Sequence, residues 1–437
     1  MVLEQLLGQL ADARFDRVRL RSSRTRQVLG ITPDSRRAGP GMVFVSLPER
    51  QRENPFQARA ALERGAEAVI CDPATPMPPR AACVRVADAR AAFAQAAALF
   101  HDHPARRLRI FGVGGEAETR GRVAASLASL LHACGLGTAW FGSQACEAGG
   151  RRLPFGADHL DAFELQSHLA AHAKAGGKAC VIEMLPSLLD GGRLGSIEFA
   201  GRVTSGLGDP AVVVPEFLSP RGSRVRLDLG GVRVVACTPL VGRAQVMALS
   251  QAAMAAFEAG VPARTIAGAL PLLAPPTGFL EPVSLGQPFG VFVDAGGDAA
   301  SLAVALRDAR ELAKGRVFLV VGPRPDASSA ERRALADVAF AFADEVVVTS
   351  DHAGPGEFRA LASEFVGPAP DAGVRIEPDR HEAVRMAIRS AVAGDVVVLA
   401  GKGGSGTQRL GDAIVPWDER RHAREALVSR GYVGGEF

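Results

Sequence analysis

A glycine-rich turn between an apolar strand and a helix is the first part of this sequence that could bind a ligand. Residues 108–113 are apolar enough for a buried strand, and the hydrophobic spacing of residues 122–134 predicts an amphipathic helix. Gly112, Gly114 and Gly115 lie at the turn. Backbone N–H groups and the helix dipole attract anions at such a helix start. The pattern therefore predicts a position for a phosphate group.

The side chains after these glycines do not supply the usual chemistry of a nucleotide site. A loop that binds ATP uses a lysine ammonium against the β- and γ-phosphates and a hydroxyl on the magnesium ion. Here the turn continues Glu116-Ala117-Glu118-Thr119-Arg120, and the lysines of the chain are residues 174, 178, 314 and 402. Glutamates at about 4 Å from phosphate oxygens would repel them by several kcal/mol. We favour a structural role for these acids, because they stabilise a first helical turn through its dipole.

The same glycines also satisfy the G-x-G-x-x-A pattern of a dinucleotide-binding turn, from Gly112 to Ala117. That site needs an acidic residue at the end of the next strand. Residues 139–143 (AWFGS) contain none, so the dinucleotide alternative lacks the acidic residue that it requires. A further match, over residues 401–406, follows the last strand of its segment, and we interpret it as a glycine-rich turn.

Two pairs of histidines have the spacing of metal ligands. His168 and His172 lie four residues apart on a predicted helix, but no third ligand is near in sequence and we expect a solvated helix face. His101 and His103 lie in a predicted linker and receive the same interpretation. The six cysteines are scattered without a C-x-x-C pair. This argues against a zinc site or a disulfide framework and favours a reducing cytosol.

The composition is that of a globular protein and excludes several functional classes. The 437 residues are 47% hydrophobic and 22% charged, with a net charge of +3. This length predicts two to four domains. No basic block with interleaved aromatic residues is present, so we expect no nucleic-acid binding. The N-terminus lacks a basic start and no apolar run reaches about eighteen residues. We therefore expect no signal peptide, no membrane span and a cytoplasmic location.

The elements that would position these residues alternate between strand and helix. Predicted strands cover residues 42–47, 66–70, 108–113, 179–184, 291–294, 317–321, 345–349 and 395–400. Predicted helices cover residues 89–100, 122–134, 161–174, 329–343 and 379–393, and another carries Leu302, Leu306 and Leu312. Residues 101–107 carry a proline and charges and predict a linker. The alternation after residue 280 is typical of a doubly wound sheet.

Short motifs along the whole chain resemble those of MurE-type Mur ligases, which attach the third amino acid to a UDP-linked muramyl dipeptide using ATP. In order, they are Asp34-Ser35-Arg36, Gly41, Phe44–Pro48, Leu62, Gly65-Ala66, Glu183–Arg193, Val293-Asp294, Thr349-Ser350-Asp351, Asp379-Arg380, Gly394-Asp395, Ala400–Gly403 and Gln408. The resemblance implies an α/β fold of three-domain Mur ligase architecture. We expect a UDP-binding-like domain at 1–103, a shortened and degenerate P-loop-like ATPase domain at 104–281, and a Rossmann-like doubly wound domain at 282–437.

The phosphate loop departs most from the family pattern. The family reads G-T-N-G-K-T-T, and this chain places Thr119 at the lysine and Arg120 at the metal-binding hydroxyl. Arg120 or Arg122 could supply positive charge, but a guanidinium does not simply replace a lysine in a tight loop. We therefore expect no intact catalytic residue and no bound cofactor, although active relatives use ATP and magnesium. The vestigial phosphate loop comprises Gly112, Gly114, Gly115, Thr119 and Arg120.

The magnesium and nucleotide contacts that the resemblance implies are also reduced. Glu183 matches a position that binds magnesium in the family, but the family's histidine four residues later is Ser187. The stretch that carries the family's carbamylated lysine has no lysine here. We expect Glu183 to be at most a weak metal ligand, with a solvated strand end as the alternative. Asp294 is expected to be the remnant of a nucleotide-binding motif.

Substrate recognition is best preserved on the UDP side. The resemblance makes Ser35, Arg36 and Arg193 the candidate substrate-binding residues. The alternative is that the Asp34-Ser35-Arg36 motif is a turn that orders its domain. The arginine that would fork onto the carboxylate of diaminopimelate is Gly354 here, so we expect no diaminopimelate site.

These losses predict a catalytically inactive MurE-like pseudo-ligase that acts as a scaffold, regulator or partner protein, linked to cell-wall precursor metabolism. Two alternatives stay open. One is an ATP-dependent, ADP-forming amide ligase of the same family with an altered substrate. The other is a sensor that binds a UDP-muramyl precursor without turning it over. The expected partners are accordingly another protein and this precursor.

Overall fold

The computed structural model describes residues 2–10, 27–54, 56–78, 81–153, 156–206, 212–367, 373–410 and 413–434. Within these ranges the chain forms mixed α/β structure with several sheets rich in parallel strands, as predicted. All six cysteines are free thiols. No helix of the described residues has the length and apolar character needed to cross a membrane.

The first segment is a four-stranded parallel sheet with helices packed against it, in the strand order β1-β2-β3-β4. Its elements are α1 (Leu3–Gly8), β1 (Gly30–Thr32), β2 (Met42–Ser46), α2 (Pro48–Glu53), α3 (Gln57–Glu63), β3 (Ala68–Cys71), β4 (Cys83–Arg85) and α4 (Ala89–Phe100). Asp88 begins α4 by accepting hydrogen bonds from the N–H groups of Arg90 and Ala91, which satisfies donors that the helix leaves unpaired. The predicted linker contains a single 3-10 turn, Pro104–Arg107.

The middle segment contains a six-stranded sheet in the order β10-β5-β9-β6-β7-β8, whose first four strands are parallel. Its elements are β5 (Arg109–Gly115), α5 (Ala117–Leu131), β6 (Thr138–Phe141), β7 (Cys146–Ala148), β8 (Arg151–Leu153), α6 (Ala162–Lys174), β9 (Ala179–Glu183), α7 (Pro186–Asp190), β10 (Gly201–Ser205), β11 (Val213–Ser219), β12 (Gly222–Leu229), β13 (Val232–Thr238), α8 (Arg243–Glu258) and α9 (Ala263–Ala269). Strands β11–β13 form a separate antiparallel sheet that was not predicted. Val225, Leu227 and Leu229 on one face of β12 share a core with α5 and α8.

The last segment is a sheet in the order β14-β15-β19-β16-β17-β18, parallel except for its edge strand β14. Its elements are β14 (Glu281–Pro282), β15 (Gly290–Val293), α10 (Ala299–Leu312), β16 (Val317–Val321), α11 (Ser329–Phe342), β17 (Glu345–Val348), α12 (Pro355–Val366), β18 (Val374–Ile376), α13 (Arg380–Ser390), β19 (Val396–Leu399), β20 (Thr407–Leu410), β21 (Ala413–Pro416) and α14 (Glu419–Ser429). In β16, Leu319 packs with α10, α11 and α12, while Phe318 and Val320 pack with α13 and α14 on the opposite face. Helices therefore cover both faces, as predicted for a doubly wound sheet.

The middle and last segments meet where α10 approaches the start of α8. Asp308 on α10 is buried, and its Oδ2 accepts a hydrogen bond of 3.1 Å from the N–H of Ala244. That donor belongs to a helical first turn, which has no carbonyl partner within the helix. Burial raises the pKa of Asp308 from 3.8 to about 6, and the charge of Arg122 offsets only part of this effect. The domain boundaries near residues 104 and 282 stay predictions.

We expect Asp308→Asn to change how stability depends on pH. The folded-state pKa lies above the unfolded value, so the carboxyl contributes its stabilisation fully below pH 3.8 and loses it as the pH rises through about 6. Asparagine keeps an acceptor for Ala244 and does not ionise. From about pH 4 to about pH 7, wild type should lose stability relative to the variant, by about 1.4 kcal/mol per pKa unit.

Urea unfolding across this pH range measures the difference. Asp326→Asn, at a side chain that is 76% exposed, is the matched control and should follow the wild-type profile. Parallel profiles for wild type and Asp308→Asn would contradict the pKa assigned to Asp308.

Candidate functional site

The predicted phosphate loop is a tight turn that packs directly against the neighbouring strand β10. Gly112 and Gly114 lie within β5, and Gly115 ends that strand with a φ of 102°. A Cβ at Gly115 would lie 2.3 Å from the carbonyl oxygen of Ser205 on β10. Only glycine combines this left-handed backbone with such a close approach.

Helix α5 begins at Ala117, five residues before the predicted start at 122. Its first turn is polar, so hydrophobic spacing did not mark it. Glu116 occupies the N-cap position without a side-chain cap hydrogen bond. The Thr119 hydroxyl is turned back onto the helix and donates to the carbonyl of Glu116 at 3.4 Å.

Arg120 lies across the turn and joins it to the neighbouring strand. Its Nη1 donates to the carbonyl of Gly115 at 3.2 Å, and its Nε donates to Oε1 of Glu183 at 3.0 Å. The side chains of this ion pair are 12% and 2% exposed. The guanidinium and the carboxylate are therefore almost removed from water. Loss of either partner would leave the other as an uncompensated buried charge.

Glu183 is not a solvated strand end, and that interpretation was wrong. It ends β9 beside β5, where the parallel register pairs it with Val113. Its second oxygen, Oε2, accepts hydrogen bonds from the N–H and the hydroxyl of Ser143, at 2.7 and 2.9 Å. Ser143 follows β6, the other neighbour of β9. The carboxylate is thus buried because three parallel strands end together around it.

The groups around Glu183 do not fit a magnesium ion. Magnesium takes oxygen ligands in near-octahedral geometry. Here one carboxylate oxygen binds the Arg120 guanidinium and the other accepts two hydrogen bonds from Ser143. A divalent cation at Oε1 would lie against the positive charge of Arg120, so the observed arrangement leaves no place for this ion.

Arg122, two residues further along α5, contacts the last segment. It is buried, its Nη2 lies 3.8 Å from Oδ2 of Asp294, and its guanidinium lies 5.2 Å from the ring centroid of Phe279. Asp294 follows β15 and accepts hydrogen bonds of 2.8 Å from the N–H groups of Leu280 and Gly296. Burial raises the pKa of Asp294, against the opposing charge of Arg122. Asp294 is accordingly engaged by protein groups on several sides.

At the carboxyl edge of the last sheet, two more buried ion pairs occupy motif positions. Lys402 Nζ lies 2.7 Å from Oδ1 of Asp351. Burial would raise the pKa of Asp351, but Lys402 and Arg380 outweigh it and hold the pKa below its usual value. Arg380 pairs with Glu419 at 2.8 Å and also donates to the carbonyl of Ala400. The sequence placed Asp351, Arg380 and Lys402 in motifs but predicted neither of these two ion pairs, and it did not single out Glu419.

The two candidate substrate-binding arginines, Arg36 and Arg193, each contact other groups of this chain. Arg36 Nη2 lies 2.8 Å from Oδ2 of Asp34, and the same carboxylate accepts from the Arg36 N–H at 2.9 Å. The Arg36 hydrogen bond is the main cause that lowers the pKa of Asp34 to about 2. Ser35 lies inside this turn. Arg193 Nη1 donates to the carbonyls of Asp158 and Leu160, at 2.8 and 2.7 Å. The role of these residues in substrate binding stays a prediction.

The first histidine pair does not form a solvated helix face. His172 is buried, its Nε2 lies within 3.1 Å of the carbonyls of Gly137 and Ala179, and its Nδ1 accepts from the N–H of Gly149. Those contacts hold the end of α6 against the start of β9. Hydrophobic spacing could not predict the burial of His172, because its ring is polar and its partners are backbone groups distant in sequence.

Comparisons with known proteins show similarity to Mur ligases. Residues 280–403 match the family described as Mur ligase, glutamate ligase domain. The chain is 26% identical to UDP-N-acetylmuramoyl-L-alanyl-D-glutamate--2,6-diaminopimelate ligase of Geobacillus kaustophilus, across 92% of this chain and 96% of that protein. It is 29% identical to UDP-N-acetylmuramyl-tripeptide synthetase of Roseiflexus sp., across 93% and 96%. A solved UDP-N-acetylmuramoyl-L-alanyl-D-glutamate--2,6-diaminopimelate ligase superposes with a TM-score of 0.61 at 20% identity, covering 99% of both chains.

Replacing Arg120 should reveal how strongly the loop depends on its ion pair. We expect Arg120→Met to leave Glu183 buried and without its counter-ion, which typically costs about 3–5 kcal/mol of unfolding free energy. Arg36→Met removes an exposed pair and should cost no more than about 1 kcal/mol. Denaturant unfolding of both variants provides the comparison.

The double variant Arg120→Met with Glu183→Gln supplies the internal control. It removes both charges, so most of the lost stability should return. Equal, small effects of Arg120→Met and Arg36→Met would show that the buried pair does not stabilise the loop.

Proposed function

We propose that the protein is a MurE-like pseudo-ligase. Residues 280–403 match a Mur ligase domain, and MurE-type ligases are homologous to this chain over most of its length. This homology supports the family part of the proposal, and the loss of activity is inferred from the phosphate loop. In this proposal the protein keeps the three-domain architecture and does not bind or hydrolyse ATP. Its retained role is that of a scaffold, regulator or partner protein linked to cell-wall precursor metabolism.

The observation that carries this proposal is the position of Arg120. Its guanidinium lies between the carbonyl of Gly115 and the carboxylate of Glu183. To admit a nucleotide and its magnesium ion, this side chain would have to leave a buried carboxylate, and the incoming ion would have to replace its positive charge. The loop offers no lysine in exchange, since the lysines of the chain are at 174, 178, 314 and 402.

The protein's own cations neutralise buried carboxylates that a bound metal ion could otherwise neutralise. Glu183 is paired by Arg120, Asp294 by Arg122, and Asp351 by Lys402. A site with its carboxylates already neutralised needs no ligand to remain folded. Of these pairs, the one between Arg120 and Glu183 supports an architecture that persists without catalysis, because its arginine departs from the family pattern.

An ADP-forming amide ligase with an altered substrate is the second candidate function. It is favoured by homology that spans nearly the entire chain, to proteins named as ligases. In that case Arg120 would leave Glu183 when nucleotide binds, and its guanidinium would contact phosphate. Arginine pairs readily with phosphate oxygens, so this candidate makes a distinct, measurable prediction.

Titration with ATP and magnesium separates the two candidates. For the pseudo-ligase we expect no heat of binding by calorimetry and no rise in melting temperature. A dissociation constant that is millimolar or tighter in the wild-type protein would overturn the proposal. Release of ADP on addition of a UDP-muramyl dipeptide and amino acids would establish the ligase instead.

The double variant Thr119→Lys with Arg120→Thr is the positive control for this titration. It places the ammonium and the hydroxyl at the positions that the family pattern gives them. With Arg120 gone, Glu183 is free to accept a cation, so ATP and magnesium should stabilise this variant by mass action. Stabilisation of wild type by a UDP-muramyl dipeptide alone would instead support the precursor sensor, for which Ser35, Arg36 and Arg193 are the candidate residues.

A further inference from the structure

Three side chains with metal-binding atoms converge where helices α13 and α14 pack together. His381 lies in the first turn of α13, and His422 and Glu425 lie one turn apart on α14. One ligand atom from each residue lies within 4.8 Å of the other two. The cluster lies in the last segment and shares no residue with the phosphate loop or with the proposed substrate residues.

The two imidazole rings point the same nitrogen at each other. The Nδ1 atoms of His381 and His422 are 2.9 Å apart, and Oε2 of Glu425 lies 3.5 Å from Nδ1 of His422. Zinc–nitrogen bonds of about 2.0–2.1 Å in a tetrahedral site place two ligand nitrogens about 3.3 Å apart. An opening of a few tenths of an ångström, with a tilt of both rings that directs their lone pairs to one point beside the N–N line, would therefore admit the ion.

Without an ion, the two Nδ1 atoms share only one hydrogen bond. One Nδ1 must carry a proton and the other must accept it, so a single hydrogen bond satisfies the pair. A metal ion would instead bind the lone pairs of both nitrogens, provided that both imidazoles are neutral.

The rings and the carboxylate are held in place by their neighbours. Trp417 stacks on His422 with ring centroids 3.9 Å apart and an interplanar angle of 30°. Oε1 of Glu425 accepts a hydrogen bond of 2.8 Å from Nε of Arg421, which leaves Oε2 directed to His422. Contacts of this kind orient ligands in metal sites and raise affinity.

A buried ion pair next to the cluster fixes the two helices relative to each other. Arg380, which precedes His381, pairs with Glu419, one turn before His422, at 2.8 Å. Ala383 and Ala423 are buried in the same core between the helices, and their small side chains permit close packing. The cluster is therefore assembled by packing between helices and not by a flexible loop.

We propose that His381, His422 and Glu425 bind a zinc ion that links α13 to α14. Two imidazoles and one carboxylate suit zinc and similar late first-row divalent ions, whereas magnesium and calcium require more oxygen ligands. Three protein ligands leave the fourth tetrahedral position for water. The ion increases the stability of the last segment because only the folded chain brings residues 381 and 422 together.

The test uses the untagged full-length protein after chelator treatment. Calorimetric titration with zinc chloride should give one bound ion per chain. In thermal unfolding, zinc should raise the melting temperature of the protein. Cobalt should produce the visible absorption of a tetrahedral site, and magnesium should give neither result. Absence of zinc binding, or equal binding of magnesium, would overturn the proposal.

Variants locate the ion. His381→Ala and Glu425→Gln should each weaken zinc binding by at least about tenfold. Glu425→Gln keeps the size of an exposed side chain, so it distinguishes ligand loss from misfolding. His132→Ala, at an exposed histidine of the middle segment, is the control and should bind zinc like wild type. Unchanged zinc affinity in both cluster variants would place the ion elsewhere and refute the assigned ligands.

Discussion

Two buried carboxylates, Glu183 and Asp294, impose the constraint on which the rest of the structure depends. An unpaired charge in a protein interior costs several kcal/mol, so each needs a fixed positive partner. Helix α5 supplies both, through Arg120 and Arg122. Residues two apart on a helix point in different directions. One helix can therefore neutralise a carboxylate of its own sheet and another in the last segment.

This arrangement explains how the loop can retain its shape with changed chemistry. The turn at Gly115 is fixed by the closeness of Ser205, and Arg120 ties its carbonyl to Glu183. Neither contact needs a phosphate or a metal ion. The same logic applies at the edge of the last sheet, where Lys402 and Asp351 neutralise each other. Internal ion pairs thus engage Glu183 and Asp294, the two acids that the resemblance links to magnesium and nucleotide binding.

Hydrophobic spacing predicted the elements whose buried faces are regular. The predicted ranges for α4 and β16 agree with the observed ones. The strand β16 is a short, continuous apolar run that is buried on both faces. The polar first turn of α5 was missed because no apolar residue marks it. The β11–β13 sheet was missed, although β12 alternates apolar and charged residues and this alternation is the signal of a half-buried strand.

The sequence by itself determined the inventory of chemical groups: a glycine turn without lysine, Thr119 and Arg120 at its helix start, and scattered motifs of one family. Only the tertiary structure decided how those groups are used. Arg120 meets Glu183 across 63 positions, and His381 meets His422 across 41. Such pairings depend on which parallel strands end side by side and which helices share a face. Those are properties of the packed sheet order, which local spacing does not encode.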